Sequence, residues 1–308
     1  MDLNAIMKAV RPADRTALTA IARRVRKSDA WLAGGTGLFA EPQPDVRRVV
    51  DLLGMNWEPL VAAEQGLTIS ATCSLGTLAT FKAPADWLGA ALIERCCRAF
   101  PAAFRNWSTA TVGGNLCMAL PSGPLIALGA ALEGVCTIWT PAGGERRLAV
   151  ADFVRGPRLS ALRAGEVLRS LRLPAEALKR AVALRRICLT KSGGSDALLI
   201  GTLSAEGDLT LTVTASTRRP LQFDFDGMPT EAVLRQRLGD DIPVEFYYAD
   251  RHGRPDWCRQ MTQDLAAEIC RELRATAAPR PQRPGPAHDS WSHTQQGSGG
   301  AFEALLMC

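Results

Sequence analysis

No apolar run in this sequence approaches the roughly 20 residues that span a bilayer. Residues 1–10 lack the charged-then-apolar layout of a secretory leader, so cytoplasmic residence is the simplest expectation and no membrane partner is expected. Only three histidines occur (His252, His288, His293), too few and too scattered for a metal site. The nine cysteines (Cys73, Cys96, Cys97, Cys117, Cys136, Cys188, Cys258, Cys270, Cys308) are odd in number, and no two have C-x-x-C spacing. Zinc and iron–sulfur ligation are therefore not expected within the chain. Most of these thiols stand in apolar surroundings, where a free cysteine behaves as a small hydrophobe. The two tyrosines, Tyr247 and Tyr248, are adjacent and late in the sequence. Neither the Gly-Lys-Ser/Thr ending of a phosphate loop nor the Gly-x-Gly-x-x-Gly dinucleotide fingerprint is present. An excess of one charge is missing too: the net charge is +5. Basic pairs such as Arg47-Arg48 and Arg218-Arg219 are not interleaved with aromatics, so no nucleic-acid partner is expected.

What remains is an ordinary water-compatible composition, 47% hydrophobic and 22% charged over 308 residues, long enough for two or three cores. Helical spacing is expected across residues 12–28, with Leu18, Ile21 and Val25 inward, and across residues 88–100, with Ala91, Ile93, Cys96 and Phe100 inward. Leu125 to Leu132 reads as a buried helix. Strands are expected at Trp31-Leu32, Val46 to Leu53 and Leu67 to Cys73. A hairpin follows over residues 135–150, turning at Pro141 to Gly144. A second unit begins near residue 178, with strands at residues 183–190, 197–203 and 209–216 and helices near 230–239 and 256–274. In the last helix Trp257, Met261, Leu265, Ile269 and Leu273 recur every fourth residue. From residue 276 the sequence turns to proline, glycine, serine and glutamine. Such a segment buries too little apolar surface to offset its ordering entropy, and residues 276–308 are expected to form a disordered tail.

Two glycine-rich turns are the most informative features: Ala33-Gly34-Gly35-Thr36-Gly37-Leu38 and Thr111-Val112-Gly113-Gly114-Asn115-Leu116. Adjacent glycines let a backbone approach a ligand closely and adopt positive φ, and the exposed N–H groups then form an anion-binding concavity. Two such turns suggest two backbone cradles closing on one large anion, for which a dinucleotide pyrophosphate is suitable. A lone Gly-Gly-Thr-Gly is a weak signal, since a plain tight turn uses the same residues; the pair is stronger.

These two motifs resemble the first and second flavin loops of the FAD-binding, or medium, subunits of molybdenum hydroxylases of the xanthine dehydrogenase and carbon monoxide dehydrogenase type. Asp152-Phe153, Gly156 and the Leu162-x-x-Gly165-Glu166-Val167-Leu168 segment are similar to further family segments, so the resemblance covers residues 28–275. It implies an α+β fold: a two-subdomain FAD-binding domain of the vanillyl-alcohol-oxidase (PCMH) type over residues 1–172 (subdomains 1–54 and 55–172), then a C-terminal α+β domain over residues 178–275. It implies non-covalent FAD held by Ala33, Gly34, Gly35, Thr36, Gly37 and Leu38 at the pyrophosphate. Thr111, Gly113, Gly114, Asn115 and Ser122 would follow along the chain of the cofactor, with backbone near Glu166, Val167 and Leu168 facing the adenine and Arg186 as a positioning group. Iron–sulfur clusters and the molybdenum cofactor would belong to partner subunits only, with NAD or oxygen among the candidate acceptors. Many members carry Asp where Gly37 stands, and an acidic residue where this chain has Pro121-Ser122-Gly123-Pro124. A stand-alone flavin oxidoreductase of the same fold, or a scaffold that has lost flavin, are the competing readings.

Overall fold

Three β-sheets and a short two-stranded ribbon follow one another along the chain in this computed structural model, which describes residues 5–100, 106–189, 194–248 and 254–277. Apart from residues 276 and 277, the expected disordered tail lies outside the described residues. The first sheet is parallel, in the order β1 (Lys8–Val10), β3 (Arg48–Asp51), β2 (Asp29–Leu32), with α1 (Arg15–Ala22) as a crossover. Asp14 starts α1 by accepting from the Ala17 N–H at 2.8 Å, a side-chain cap for an otherwise orphaned donor. The helix is shorter than its sequence pattern, because after Ala22 the run of Arg23, Arg24, Arg26 and Lys27 offers no apolar face to bury. Arg23 instead donates from Nε to the Pro141 carbonyl at 3.0 Å, clamping α1 to a distant turn. Asp29 and Arg48 face each other in register and pair side by side. That guanidinium holds the Asp29 carboxyl below the usual carboxylate range. β3 ends in a 3-10 turn, Leu52–Met55, where a continued strand had been expected to Leu53.

The second sheet is antiparallel, in the order β4 (Leu60–Ala63), β5 (Gly66–Ser70), β10 (Val167–Pro174), β6 (Val135–Trp139), β7 (Glu145–Ala149). Between β5 and β6 run α2 (Leu75–Ala79), α3 (Ala91–Arg98), α4 (Val112–Met118) and α5 (Pro124–Ala131). After β7 come α6 (Val150–Phe153) and the ribbon β8 (Val154–Gly156) with β9 (Leu159–Ser160). In α3 the buried residues are Leu92, Ile93, Cys96 and Cys97, while Ala91 is exposed. Of the expected inward set, Ile93 and Cys96 are buried and Phe100 packs on the core, whereas Ala91, next to the 3-10 stretch at Leu88–Ala90, faces out. The pairing of β10 with β6 skips Arg169, a bulge between Leu168 and Ser170.

The third sheet is a meander, β11 (Ala181–Ile187), β12 (Ala197–Leu203), β13 (Leu209–Thr214) and β14 (Leu221–Phe225), reached through α7 (Ala175–Lys179). It is followed by α8 (Glu231–Asp241) and α9 (Pro255–Ala277). All of β12 is buried, as a central strand covered on both faces must be. Leu198 and Ile200 join the core that holds α5, whereas Leu199 joins the core of α9 with Ile269 and Leu273. This explains why α5 is apolar all round. Arg185 on β11 donates to Glu268 (2.7 Å) and Glu272 (2.5 Å), fixing α9 along the sheet. Residues 15–22, 135–149 and 197–203 thus lie close to their expected elements. β4, β10 and β14 were not read from the sequence.

Candidate functional site

The first glycine segment leaves β2 directly and folds into a tight turn. The Phe39 N–H donates to the Gly35 carbonyl at 2.9 Å and the Ala40 N–H to the Gly37 carbonyl at 3.3 Å. Ahead of these closing bonds, the N–H groups of Gly34, Gly35, Thr36, Gly37 and Leu38 meet no acceptor among the described residues. Successive unpaired donors in one concave turn are the backbone form of an anion site. Two glycines here have distinct reasons. Gly35 adopts φ +73°, and a Cβ on Gly34 would stand 1.7 Å from the Thr109 carbonyl oxygen. Gly34 is therefore where the first segment lies flat against the chain leading into the second.

The second segment is not a turn. It is the start of α4, with Thr111 as its cap, accepting from the Gly114 N–H at 3.1 Å. The Val112 N–H donates to Cys73 (3.0 Å), Gly113 to Ala71 (2.8 Å) and Asn115 to the Thr111 carbonyl (3.0 Å). These donors are spent inside the protein, so the expectation of two backbone cradles is corrected to one cradle and one helical wall. Gly113 is small because Ala71 lies beneath it, 2.6 Å from where its Cβ would be. Asn115 uses Oδ1 to accept from the Leu125 N–H at 3.1 Å, supplying the side-chain cap that α5, preceded by Gly123, lacks of its own. Thr111→Val is expected to cost about 1 kcal/mol of stability through the lost cap and to loosen the wall. Thermal melts with and without added ligand check both effects.

Together the two segments line a cavity of about 510 Å³. Ala33, Gly34, Gly35, Thr36, Gly37, Leu38, Thr111, Gly113, Gly114 and Asn115 all face it, as do Val167 and Leu168 from β10. Ser122, Glu166 and Arg186 are not among its lining residues. Ser122 sits against Gly194, where a glycine Cβ would meet its Oγ at 2.8 Å. The Glu166 carboxylate turns to Arg146, accepting from Nε at 2.8 Å and Nη2 at 2.7 Å. Arg186 donates from Nε to Ser195 Oγ at 2.7 Å. Among the lining residues that sequence reasoning missed are Trp31, Leu52, Phe100, Met118, Leu120 and Leu162. They are apolar residues from separate elements, and no local pattern announces them. No charged side chain lines the cavity among the described residues. Cys117 does, and burial pushes its thiol up to about 12, so it stays neutral.

This lining suits FAD. The unpaired N–H groups match a pyrophosphate, and the apolar walls match the adenine and isoalloxazine rings. No cluster of histidine, cysteine or carboxylate side chains among the described residues could hold a metal ion. The architecture thus defines an α+β protein with a cavity of about 510 Å³ beside a backbone anion cradle.

The sequence model of the family described as the FAD binding domain in molybdopterin dehydrogenase matches residues 5–176. The chain belongs to that family, and is the flavin-binding part of an oxidoreductase. Solved structures agree on the fold. Quinoline 2-oxidoreductase from Pseudomonas putida 86 matches with a TM-score of 0.75 at 19% identity, over 90% of this chain and 99% of that chain. Reconstituted CO dehydrogenase from Oligotropha carboxidovorans matches at 0.77 and 18%, over 90% and 100%. Carbon monoxide dehydrogenase from Hydrogenophaga pseudoflava matches at 0.74 and 17%, over 89% and 99%. The fold is therefore the PCMH-type FAD-binding fold with its C-terminal α+β unit. No curated protein sequence matches significantly. Among the described residues no helix is long and apolar enough to cross a membrane.

Proposed function

We propose that this chain is the FAD-carrying electron-transfer subunit of a multi-subunit molybdenum hydroxylase, receiving electrons from an iron–sulfur partner and passing them to an outside acceptor. The observation that carries this reading is the cavity's lining: a backbone cradle whose N–H groups are unpaired, with no charged side chain beside it among the described residues. A stand-alone oxidase would need acid–base groups over the reacting ring, and among the described residues the lining side chains with polar atoms are Trp31, Thr36, Asn106, Thr111, Asn115 and Cys117. When bound, FAD supplies the redox chemistry, accepting one or two electrons at a time. The protein's part is to bind and orient it. Residues 34–38 would donate to the pyrophosphate, Val167 and Leu168 would border the adenosine end, and the wall of α4 would exclude water. Retention of the cradle also favours a flavin-loaded subunit over an empty scaffold.

The purified chain should show oxidised-flavin absorbance, with FAD released on heating, and should copurify with iron- and molybdenum-containing chains when expressed with its natural neighbours. A colourless chain that takes up no added FAD overturns the reading. A yellow chain that alone oxidises small substrates, without partners, replaces it with the stand-alone enzyme. Mixing the reduced assembly anaerobically with NAD, and separately with oxygen, identifies the acceptor by which one restores the oxidised spectrum.

A further inference from the structure

Among the described residues, a cavity that is to hold a dianionic diphosphate carries no cation in its lining, yet an arginine that meets no carboxylate among them follows a lining residue in the chain. Arg169 is the bulged residue of β10. It follows Leu168 in the chain, and its carbonyl accepts from the Ala71 N–H at 3.0 Å; both neighbours line the cavity. Its guanidinium sits 4.5 Å from the Trp57 ring and 5.6 Å from the Trp139 ring, which meet edge to face at 5.5 Å. Those two tryptophans pack on the cluster of Leu18, Val50, Leu52, Met55 and Val167, together with Trp31. Trp31, Leu52 and Val167 are cavity wall. Among the described residues Arg169 meets no carboxylate, and burial lowers its affinity for the proton. Several other partly buried arginines are paired, Arg48 with Asp29, Arg146 with Glu166, Arg185 with Glu268 and Glu272, whereas Arg219, like Arg169, packs on a ring. A half-buried charge without a counter-ion is costly, and the ring contacts return only part of that cost.

We infer that Arg169 is a positioning residue for the flavin cofactor: its counter-ion is the diphosphate of bound FAD, attracted through one layer of apolar wall rather than by direct contact. This rests on the FAD reading above. It divides the labour in the site. Backbone N–H groups of residues 34–38 set the geometry of the anion, and Arg169 adds a positive field that no lining side chain among the described residues supplies. The same bulge that interrupts the β10–β6 ladder is what turns an arginine onto the tryptophan pair at this level of the strand.

The test compares Arg169→Met and Arg169→Lys with the wild-type full-length chain, stripped of flavin and titrated with FAD by fluorescence quenching. Arg169→Met keeps length and apolar contact with the rings but removes the charge. Its FAD Kd should rise by about tenfold, while the melting temperature of the flavin-free chain stays equal or rises, because an unpaired cation has been removed. Arg169→Lys should recover most of the affinity. A merely structural clamp behaves differently: affinity and flavin-free melting temperature fall together in the methionine variant. That outcome, an unchanged Kd in Arg169→Met, or a lysine variant as weak as the methionine one overturns the inference. A wild-type chain that takes up no FAD overturns the cofactor reading itself, which separates the two failures.

Discussion

Gly34→Ala is expected to abolish flavin uptake while Gly37→Ala, three residues on in the same turn, leaves it largely intact. At Gly34 the added carbon would lie 1.7 Å from the Thr109 carbonyl oxygen and 2.7 Å from its carbon. Both obstacles are backbone, so relief requires one segment to move away from the other. At Gly37 the added carbon first meets the Met118 sulfur at 3.2 Å, the flexible end of a side chain that can swing aside. Overpacking of the first kind typically costs 1–3 kcal/mol, and about 3 kcal/mol is expected here because no rotamer change absorbs it. The functional loss should exceed the stability loss. Separating residues 33–38 from α4 opens the cavity between them and misplaces the N–H donors that bind the anion. Flavin content per chain by visible absorbance, read beside the melting temperature, checks this. A Gly34→Ala chain with full flavin content and an unchanged melt would show that the two segments need not touch.

The contrast between these glycines shows what the sequence disclosed. Glycines adjacent to one another marked both segments correctly, because chain flexibility at a close approach is a local property written in local residues. What each glycine approaches is not local. Gly113 and Gly114 read as turn residues by propensity, but Thr111 caps them into a helix and Ala71, some forty positions earlier, needs the space. The helix prevailed because its first donors find acceptors on Ala71 and Cys73, contacts that exist only after folding. β10 went unread for a similar reason. Val167-Leu168-Arg169-Ser170-Leu171-Arg172 breaks the alternation of a strand at its bulge, so the period of two slips midway. The strand is nevertheless central to its sheet and supplies a wall of the cavity. The long amphipathic α9 and the uniformly apolar α5 were legible in full, since their burial is imposed on a single continuous segment.

Glu166, which the family resemblance suggested as a cofactor neighbour, acts on the cavity from behind, and its loss should carry a large electrostatic effect. Its side chain is 4% exposed. One carboxylate oxygen accepts from Arg146 Nε, while the other accepts from Arg146 Nη2 and from the Arg163 N–H at 2.8 Å. Arg146 also donates to the Ala161 carbonyl at 2.8 Å. The pair thus ties residues 161–166 to β7 and sets where β10 begins, one residue before Val167 and Leu168. Glu166→Gln leaves the partly buried Arg146 cation without its counter-ion. Breaking a fully buried pair costs about 3–5 kcal/mol; with Arg146 26% exposed about 2 kcal/mol is expected, for a chain of this size a fall in melting temperature on the order of 5 °C. FAD should bind more weakly as well, since two wall residues lose their anchor. The pH dependence provides the decisive check. Hydrogen bonds from Arg146, offset in part by burial, hold the Glu166 carboxyl below its ordinary value of 4.5, so the folded chain binds fewer protons there than the unfolded chain. The pair's contribution is then complete above pH 4.5 and drains away as pH falls through the lowered folded value. The gap in stability between wild type and Glu166→Gln should be constant near neutrality and narrow progressively below pH 4.5, as protonation takes from the wild type what the substitution has already removed. A gap that persists undiminished on the acid side would mean that glutamine is penalised for its packing, and that the charge contributes little.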